Sequence, residues 1–186
     1  MTAMPRSTFR QRRTAARLAA VQALYALEVA GSGGADRLII DLAGRRWSTD
    51  GDANVDAGET APDEGWLRLL VDGVVAQRPR LDPEIDAALS HGWTLARLEL
   101  LLQAILRAGA FELAERRDVP TKVVITEYLE ITHAFYAGKE PSLVNAVLDR
   151  MAPRLRPDVT EHSGGTGGQE EAGGGGENGG EWTNSS

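Results

Sequence analysis

The sequence of 186 residues contains no cysteine. That absence excludes a disulfide framework, a cysteine-based zinc site and a thiol nucleophile. Histidine is also scarce, with three residues far apart in the sequence, so no metal site is expected. No GxGxxG, Walker, GxSxG or HExxH pattern occurs, and the sequence therefore predicts neither an enzyme nor a bound cofactor. Glu112, Glu127 and Glu130 can approach one another between helices, but salt bridges explain them better than acid–base catalysis.

The chain also lacks an apolar run near 20 residues, so no transmembrane helix is expected. Its N-terminus is basic and then apolar, as in a secretory signal. Gln22 and Glu28 interrupt the apolar part, however, and no small-residue cleavage site follows it. The sequence therefore predicts a cytoplasmic protein.

Two stretches lack basic residues altogether. Residues 50–64 and 157–186 each contain six acidic residues, and their composition is rich in Gly, Ala, Ser and Thr. We expect an insertion loop at 48–64 and a tail at 157–186, both disordered. Without these acids, 15 acidic and 20 basic residues remain, so the folded part is basic although the whole chain carries a net charge of −7.

The basic charge is concentrated in the segment 8–31, and the chain has no acidic residue before Glu28. Its spacing predicts one helix with a basic first half, a flexible start at 1–7 and an apolar second half. Four arginines share one face at intervals of four, three and four residues: Arg6, Arg10, Arg13 and Arg17. The apolar residues are Leu18, Val21, Leu24, Tyr25, Leu27 and Val29. Val21 and Leu24 follow Arg17 at intervals of four and three residues, so the basic and the apolar half lie on nearly the same face of the helix. Since the apolar half is buried, the basic half must extend past the core into water.

The remainder of the chain predicts an all-α protein. Apolar residues recur at three and four positions, and the turn and cap residues divide the pattern into about seven helices. The predicted helices cover 8–31, 36–43, 66–77, 83–90, 94–116, 121–136 and 141–154. Pro79 ends the third and Asp82 caps the fourth. The helix 94–116 is apolar over more than half its surface and should be central, with Gly109 at a close helix crossing.

Like charges at helical spacing repel one another, and an anionic partner relieves that repulsion. From the residues alone, RNA, DNA, a membrane surface or an acidic protein all remain open as that partner. Arginine suits phosphate because its guanidinium donates two hydrogen bonds at once. Of the aromatic residues, Tyr128 is assigned to the core, whereas Phe135 and Tyr136 lie at a helix end where exposure is easier.

Four segments in this order resemble the bacterial NusB family: RRTAARLAAVQALYALE, AILRAGAFEL, VPTKVVITEYLEI and LVNAVLDRMAPRLR. The resemblance covers most of 10–156 and implies a bundle of two helical subdomains, here at 8–156. It also implies transcription antitermination. Members pair with NusE, a small-subunit ribosomal protein, bind the boxA RNA of ribosomal RNA leaders and help RNA polymerase, with other Nus factors, to read through terminators.

The resemblance further implies which residues face the RNA. The arginine-rich start of the family carries over to Arg10, Arg12, Arg13 and Arg17. Less directly, the family pattern assigns RNA-side roles to Gln22, Tyr25, Phe135, Lys139 and Asn145. Asn145 can equally tie helices together, and Arg107 can hold the two subdomains. As a hypothesis, the insertion loop and the acidic tail screen the basic face against non-specific RNA.

Two alternatives stay open at this point. A NusB-like domain also serves as the RNA-binding module of RNA methyltransferases, which predicts a cofactor domain downstream where this sequence has its tail. The chain can also be a protein-interaction bundle without an antitermination role, whose arginines bind an acidic protein.

Overall fold

The computed structural model describes residues 6–30, 60–90 and 92–157. Within these ranges the chain forms five α-helices, a 3-10 turn and no strand, which confirms the all-helical class. The helices are α1 Arg6–Ala30, α2 Glu64–Ala88, α3 Leu100–Glu115, α4 Thr121–Phe135 and α5 Glu140–Leu155, with the 3-10 turn at Leu95–Arg97. No helix in the described ranges is long and apolar enough to cross a membrane.

Helix α1 lies within two residues of the predicted extent, and its apolar half is only partly buried. Its buried apolar residues are Ala16, Ala19, Ala20, Val21, Ala23 and Leu24. Tyr25 and Val29, which the sequence places in the apolar half, are exposed. The predicted apolar half thus divides into buried Val21 and Leu24, half-buried Leu18 and Leu27, and these two exposed residues.

Helix α2 continues through Pro79 and Pro83, so the predicted break between two shorter helices is wrong. Each proline leaves the carbonyl four residues earlier, at Val75 and Pro79, without its intrahelical donor. Val75, Pro79 and Pro83 are all exposed and recur every four residues, so they share one side of the helix. Water can bond those carbonyls there, which makes two prolines tolerable in one helix. Asp82, the predicted cap, lies inside α2.

Asp63 is the actual cap of α2, and its Oδ1 accepts a hydrogen bond from the Trp66 amide at 3.0 Å. The helix therefore begins inside the segment 48–64 that the sequence assigns to the insertion loop. Residues 48–59 of that loop, the predicted helix 36–43 and the tail from 158 onward lie outside the described residues.

Helix α3 begins at Leu100 rather than near 94, because the 3-10 turn precedes it. It is central, as predicted, and contacts each of the other four helices. A Cβ atom at Gly109 would lie 3.0 Å from both methyl carbons of Leu148 on α5, so the predicted close crossing is confirmed. On the α2 side, a Cβ atom at Gly73 would overlap the ring of Phe111.

The helix count of about seven is too high for the described residues. Two predicted helices are joined in α2, and the one at 36–43 lies outside the description. Buried apolar side chains from all five helices form one core cluster. The division into two subdomains stays a prediction from the family resemblance.

Two buried arginines fasten the bundle. Arg107 on α3 binds both carboxylate oxygens of Asp82 on α2, at 2.7 and 3.0 Å, and reaches Glu28 on α1 at 3.3 Å. It therefore ties three helices together. Arg156, just after α5, donates to the carbonyls that end α3 and to the loop that follows. Its acceptors are the carbonyl oxygens of Glu112, Leu113, Arg116 and Val119.

Candidate nucleic-acid interface

Helices α1 and α4 run in parallel and enclose a groove of about 570 Å³. The hydroxyl of Thr14 donates to Glu127 at 2.8 Å, and farther along both helices Leu18 and Ile131 line the groove. Arg10 and Gln11 lie at its start, and Thr60 closes one side. The groove therefore follows α1 from its arginine-rich half toward its C-terminal half.

Of the four predicted arginines, Arg10 lines this groove, and together with Arg13 and Arg17 it also lines a neighbouring pocket at Val119 and Pro120. Arg10 is exposed, whereas Arg12 and Arg13 are half-buried. The carbonyl oxygen of Arg12 accepts a hydrogen bond from the Asp63 amide at 3.0 Å, which joins α1 to the start of α2. The guanidinium of Arg13 lies 4.4 Å from the ring centre of Phe9. We call Arg10, Arg12, Arg13 and Arg116 the arginine cluster.

Trp66 is the element that organises this cluster. The guanidinium carbons of Arg13 and Arg116 lie 3.8 and 3.9 Å from its ring centre, so both stack on the indole. Arg116 also donates to both carboxylate oxygens of Asp118, each at 2.8 Å, and this pairing lowers the pKa of Asp118. Burial and the nearby charge of Arg116 lower the pKa of Arg13. The stack thus holds two like charges close together.

Arg17 does not belong to the accessible face. It is 3% exposed, and its Nε lies 2.9 Å from Oε2 of Glu112, which is fully buried. Its Nη1 lies 3.5 Å from Glu127. Burial alone would lower the pKa of Arg17, but the hydrogen bonds and charge of Glu112 outweigh it and raise the pKa. The prediction that the basic half extends into water is therefore wrong at Arg17, which is neutralised inside the fold.

Tyr128 completes this buried network from α4. Its hydroxyl donates to Oε2 of Glu112 at 3.0 Å, and its side chain is fully buried, which confirms the assignment to the core. Burial and the negative charge of Glu112 raise its pKa well above 10. The interpretation of Glu112 and Glu127 as helix-surface salt-bridge residues is correct in the pairing, since both contact Arg17, but wrong in the position of Glu112, which is buried. The network fixes α1 on α3 and α4 directly beneath the arginine cluster.

The other end of α1 and α4 carries exposed aromatic rings. Tyr25 is 42% exposed and Phe135 is 44% exposed. Beside them, the hydroxyl of Tyr136 donates to Glu99 at 3.0 Å, and burial together with this bond raises the pKa of Tyr136 to about 12. Lys139 is exposed in the following loop, and Gln22 is half-buried on α1. We call Tyr25, Phe135 and Lys139 the aromatic end.

Asn145 is separated from these residues. It lines a different cleft, between α4 and α5, together with Lys122 and Asp149. Its side-chain amide donates to Asp149 at 2.8 Å, one turn along α5. The cleft uses residues such as Ile125 and Leu129 on α4, which point away from the face that meets α1. The structure therefore does not bring Asn145 together with the arginine cluster.

Sequence reasoning missed Trp66, Arg116 and Glu112 as parts of this arrangement. Trp66 resembles an ordinary core residue because it begins an apolar helical pattern. Glu112 carried a signal, since it is an acid within the most apolar helix of the chain, where a buried charge requires a partner. Arg17 carried the matching signal by sharing a line with Val21 and Leu24. Arg116 follows α3 in a charged turn, and nothing in its sequence context points to Trp66.

A sequence model described as the NusB family matches residues 14–153. Among curated proteins, the transcription antitermination protein NusB of Rhizobium etli strain CIAT 652 is 48% identical over 158 residues, covering 85% of this chain and 96% of that protein. The NusB protein of Sinorhizobium fredii is 49% identical over 146 residues, covering 77% and 88%.

Solved structures share the fold at lower identity. A structure of T. maritima NusB superposes with a TM-score of 0.64 at 23% identity, covering 81% of this chain and 92% of that chain. A chain from a crystal structure described as a plectonemic RNA supercoil gives a TM-score of 0.63 at 22% identity, covering 78% and 96%. At these identities the likeness shows the fold alone.

Proposed function

The chain belongs to the NusB family of transcription antitermination proteins, and on that premise we propose that it binds the boxA RNA of ribosomal RNA operon leaders. It does so together with NusE, the small-subunit ribosomal protein, in the cytoplasm. With other Nus factors on the transcribing RNA polymerase complex, it lets the polymerase read through terminators.

The observation that carries the RNA part is the arrangement of the arginine cluster. Arg10 is exposed beside the groove, and Arg13 presents its guanidinium between Phe9 and Trp66. The Nε of Arg13 is buried and has no hydrogen-bond partner, so a phosphate can reach this guanidinium only through its Nη atoms. A guanidinium is suited to a phosphate because it can bind it through two parallel hydrogen bonds. Arg17 serves this face indirectly, because its pair with Glu112 anchors the helix that carries the cluster.

The aromatic end supplies the second requirement of single-stranded RNA, which is a ring on which a base can stack. Arg10 and Tyr25 are 15 residues apart on one helix, and thus about 22 Å apart along its axis. At a rise of about 3.4 Å per nucleotide, that length spans about six nucleotides, and fewer of a more extended strand. The two ends therefore fit phosphates and bases of one short segment. Gln22 and Lys139 flank this path, and Asn145 lies off it.

Binding of the purified protein to a boxA-like oligomer and to a scrambled oligomer, each with and without NusE, tests the proposal. We expect tighter binding of the boxA-like RNA and a further gain in affinity when NusE is present. Equal affinity for the two RNAs in the presence of NusE would reject sequence-specific boxA recognition. No binding of either RNA would favour the protein-interaction alternative.

A further inference from the structure

The described chain ends next to the arginine cluster. Arg156 binds the carbonyl oxygen of Arg116 at 2.8 Å and that of Val119 at 2.7 Å. Arg116 itself stacks on Trp66, as Arg13 does. A continuous series of contacts therefore leads from Arg156 to the cluster, and Pro157 is the next residue. Whatever follows Pro157 starts beside these arginines.

Arg10 and Arg13 carry the positive charge that the cluster presents to a partner. Arg10 is exposed, and Arg13 has Asp63 and Asp118 as nearby acids that act on its charge. Asp118 is occupied by Arg116, and Glu127 is occupied by Arg17 and Thr14. The nearby acids Asp118 and Glu127 are thus already committed to partners, whereas Glu130 lines the groove beside Arg10.

The sequence that follows Pro157 has the opposite charge to the arginine cluster. Residues 158–186 contain six acidic residues and no basic residue, and the first acid, Asp158, comes two positions after Arg156. A chain spans at most about 3.3–3.6 Å per residue, so even the first few residues can reach Arg116, and the whole segment can reach Arg10. Because the segment is covalently attached, its local concentration at the cluster is high, on the order of millimolar for a short flexible connection.

We propose that residues 158–186 dock on the arginine cluster and compete there with RNA. The contact itself does not depend on the proposed function, whereas its consequence for RNA does. The carboxylates take the positions of RNA phosphates at Arg10 and Arg13. A weakly held, non-specific RNA is then displaced, while an RNA that also stacks on Tyr25 and Phe135 retains the contacts that the acidic segment does not cover.

The segment 31–59 carries a smaller net charge. It also holds six acids, but it includes Arg37, Arg45 and Arg46, so its net charge is half that of 158–186. It thus provides a matched control with the same number of removable negative charges. The control acids are Asp36, Asp41, Asp50, Asp52, Asp56 and Glu59.

The first test measures the contact without RNA. Because the chain has no cysteine, Ser163→Cys creates a single attachment site for a nitroxide spin label on the full chain. We expect NMR signals of Arg10, Gln11 and Arg13 to broaden at low salt and recover near 1 M salt, where the Debye length is about 3 Å. Signals at Tyr136 and Ser142 should change little. No broadening, or equal broadening at both places, would overturn the proposal.

The second test measures competition. Neutralising the six acids of the segment in the full chain should raise the affinity for a random RNA by roughly five-fold at low salt, as expected for one or two exposed ion pairs, and by little at high salt. The substitutions are Asp158→Asn, Glu161→Gln, Glu170→Gln, Glu171→Gln, Glu177→Gln and Glu181→Gln. The control neutralisation in 31–59 should give a clearly smaller gain. An equal gain would show that overall charge is responsible and would overturn docking by 158–186. Since the spin-label experiment contains no RNA, it separates this outcome from a failure of the RNA-binding proposal.

Discussion

Arg17 binds both carboxylate oxygens of Glu112 inside the bundle, with Nε 2.9 Å from Oε2 and 3.2 Å from Oε1. A residue that the sequence places on the basic surface is therefore a structural link between α1 and α3. Removing Arg17 leaves the charge of Glu112 without its partner in a site from which water is excluded, and removing Glu112 leaves Arg17 with only the longer contact to Glu127, at 3.5 Å. Removing both leaves neither of the two charges.

We expect Arg17→Met and Glu112→Gln each to lower the free energy of unfolding by about 3–5 kcal/mol. The double variant should lose less than the sum, because no unpaired charge remains. Urea denaturation measures all three. Arg10→Gln is the surface control and should change stability by no more than about 0.5 kcal/mol. Strict additivity of the two single losses would show that the pair does not act as a unit.

A second prediction separates phosphate contacts from base contacts on RNA. Arg10→Gln should lower the slope of log affinity against log salt by about 0.7 for the one phosphate contact that it removes. Tyr25→Leu should weaken binding by about 1–3 kcal/mol and leave the slope unchanged, since stacking releases no counterions. Titrations at several salt concentrations give both quantities.

Asn145→Ala completes that comparison. Asn145 lies in the cleft between α4 and α5, so its removal should change neither the slope nor the affinity if RNA follows the groove between α1 and α4. A loss as large as that of Tyr25→Leu would place the RNA path across α4 instead. A slope that Arg10→Gln does not change would favour an acidic protein as the partner.

The third prediction concerns Trp66, which supports Arg13 and Arg116. Trp66→Leu removes the ring. It should destabilise the fold, but by less than the loss of about 3–5 kcal/mol that follows truncation of a buried tryptophan to alanine. It should also weaken RNA binding, because Arg13 loses its support. Trp66→Phe keeps a ring for both guanidinium groups and breaks no hydrogen bond, since the Trp66 Nε1 has no partner. It should therefore keep most of the RNA affinity, and affinity equally low in both variants would contradict the supporting role.

The fourth prediction compares two helical glycines. Gly73→Ala places a methyl group into the rigid ring of Phe111, and we expect a loss of about 1–3 kcal/mol. Gly109→Ala meets the flexible methyl ends of Leu148 at 3.0 Å, and the roughly 1 kcal/mol gained in helix propensity offsets the strain. Thermal unfolding should give a lower midpoint temperature for Gly73→Ala than for Gly109→Ala. The reverse order would show that α3 and α5 are packed more rigidly than α2 and α3.

Helix bounds were predictable where local signals agree. Helices α1, α4 and α5 lie within about two residues of the positions that the sequence predicts, because caps, prolines and the apolar period all indicate the same limits. At α2 the signals conflict, and the proline rule favours a break. The helix continues because the affected carbonyls face solvent, which depends on packing that the local sequence does not specify.

The sequence predicts where the site lies, but not which residues contact one another within it. The sequence indicates a cationic helix, and Arg10 and Arg13 do lie at the surface. It does not indicate that Arg17 is buried, because that depends on Glu112, 95 residues away, reaching the same point in space. The support of Arg13 by Trp66 and Arg116 is equally non-local, since three separate segments meet there.

The closure of α3 by Arg156 sets an order for events on the ribosome. When α1 leaves the exit tunnel first, Arg17 has no counter-charge until residue 112 has been synthesised. The carbonyls at the end of α3 have no Arg156 donor until that residue has been synthesised, near the end of the described chain. The helix that carries Arg10 and Arg13 is thus translated first but becomes anchored late, so the nascent chain exposes its arginines before the bundle that positions them is complete.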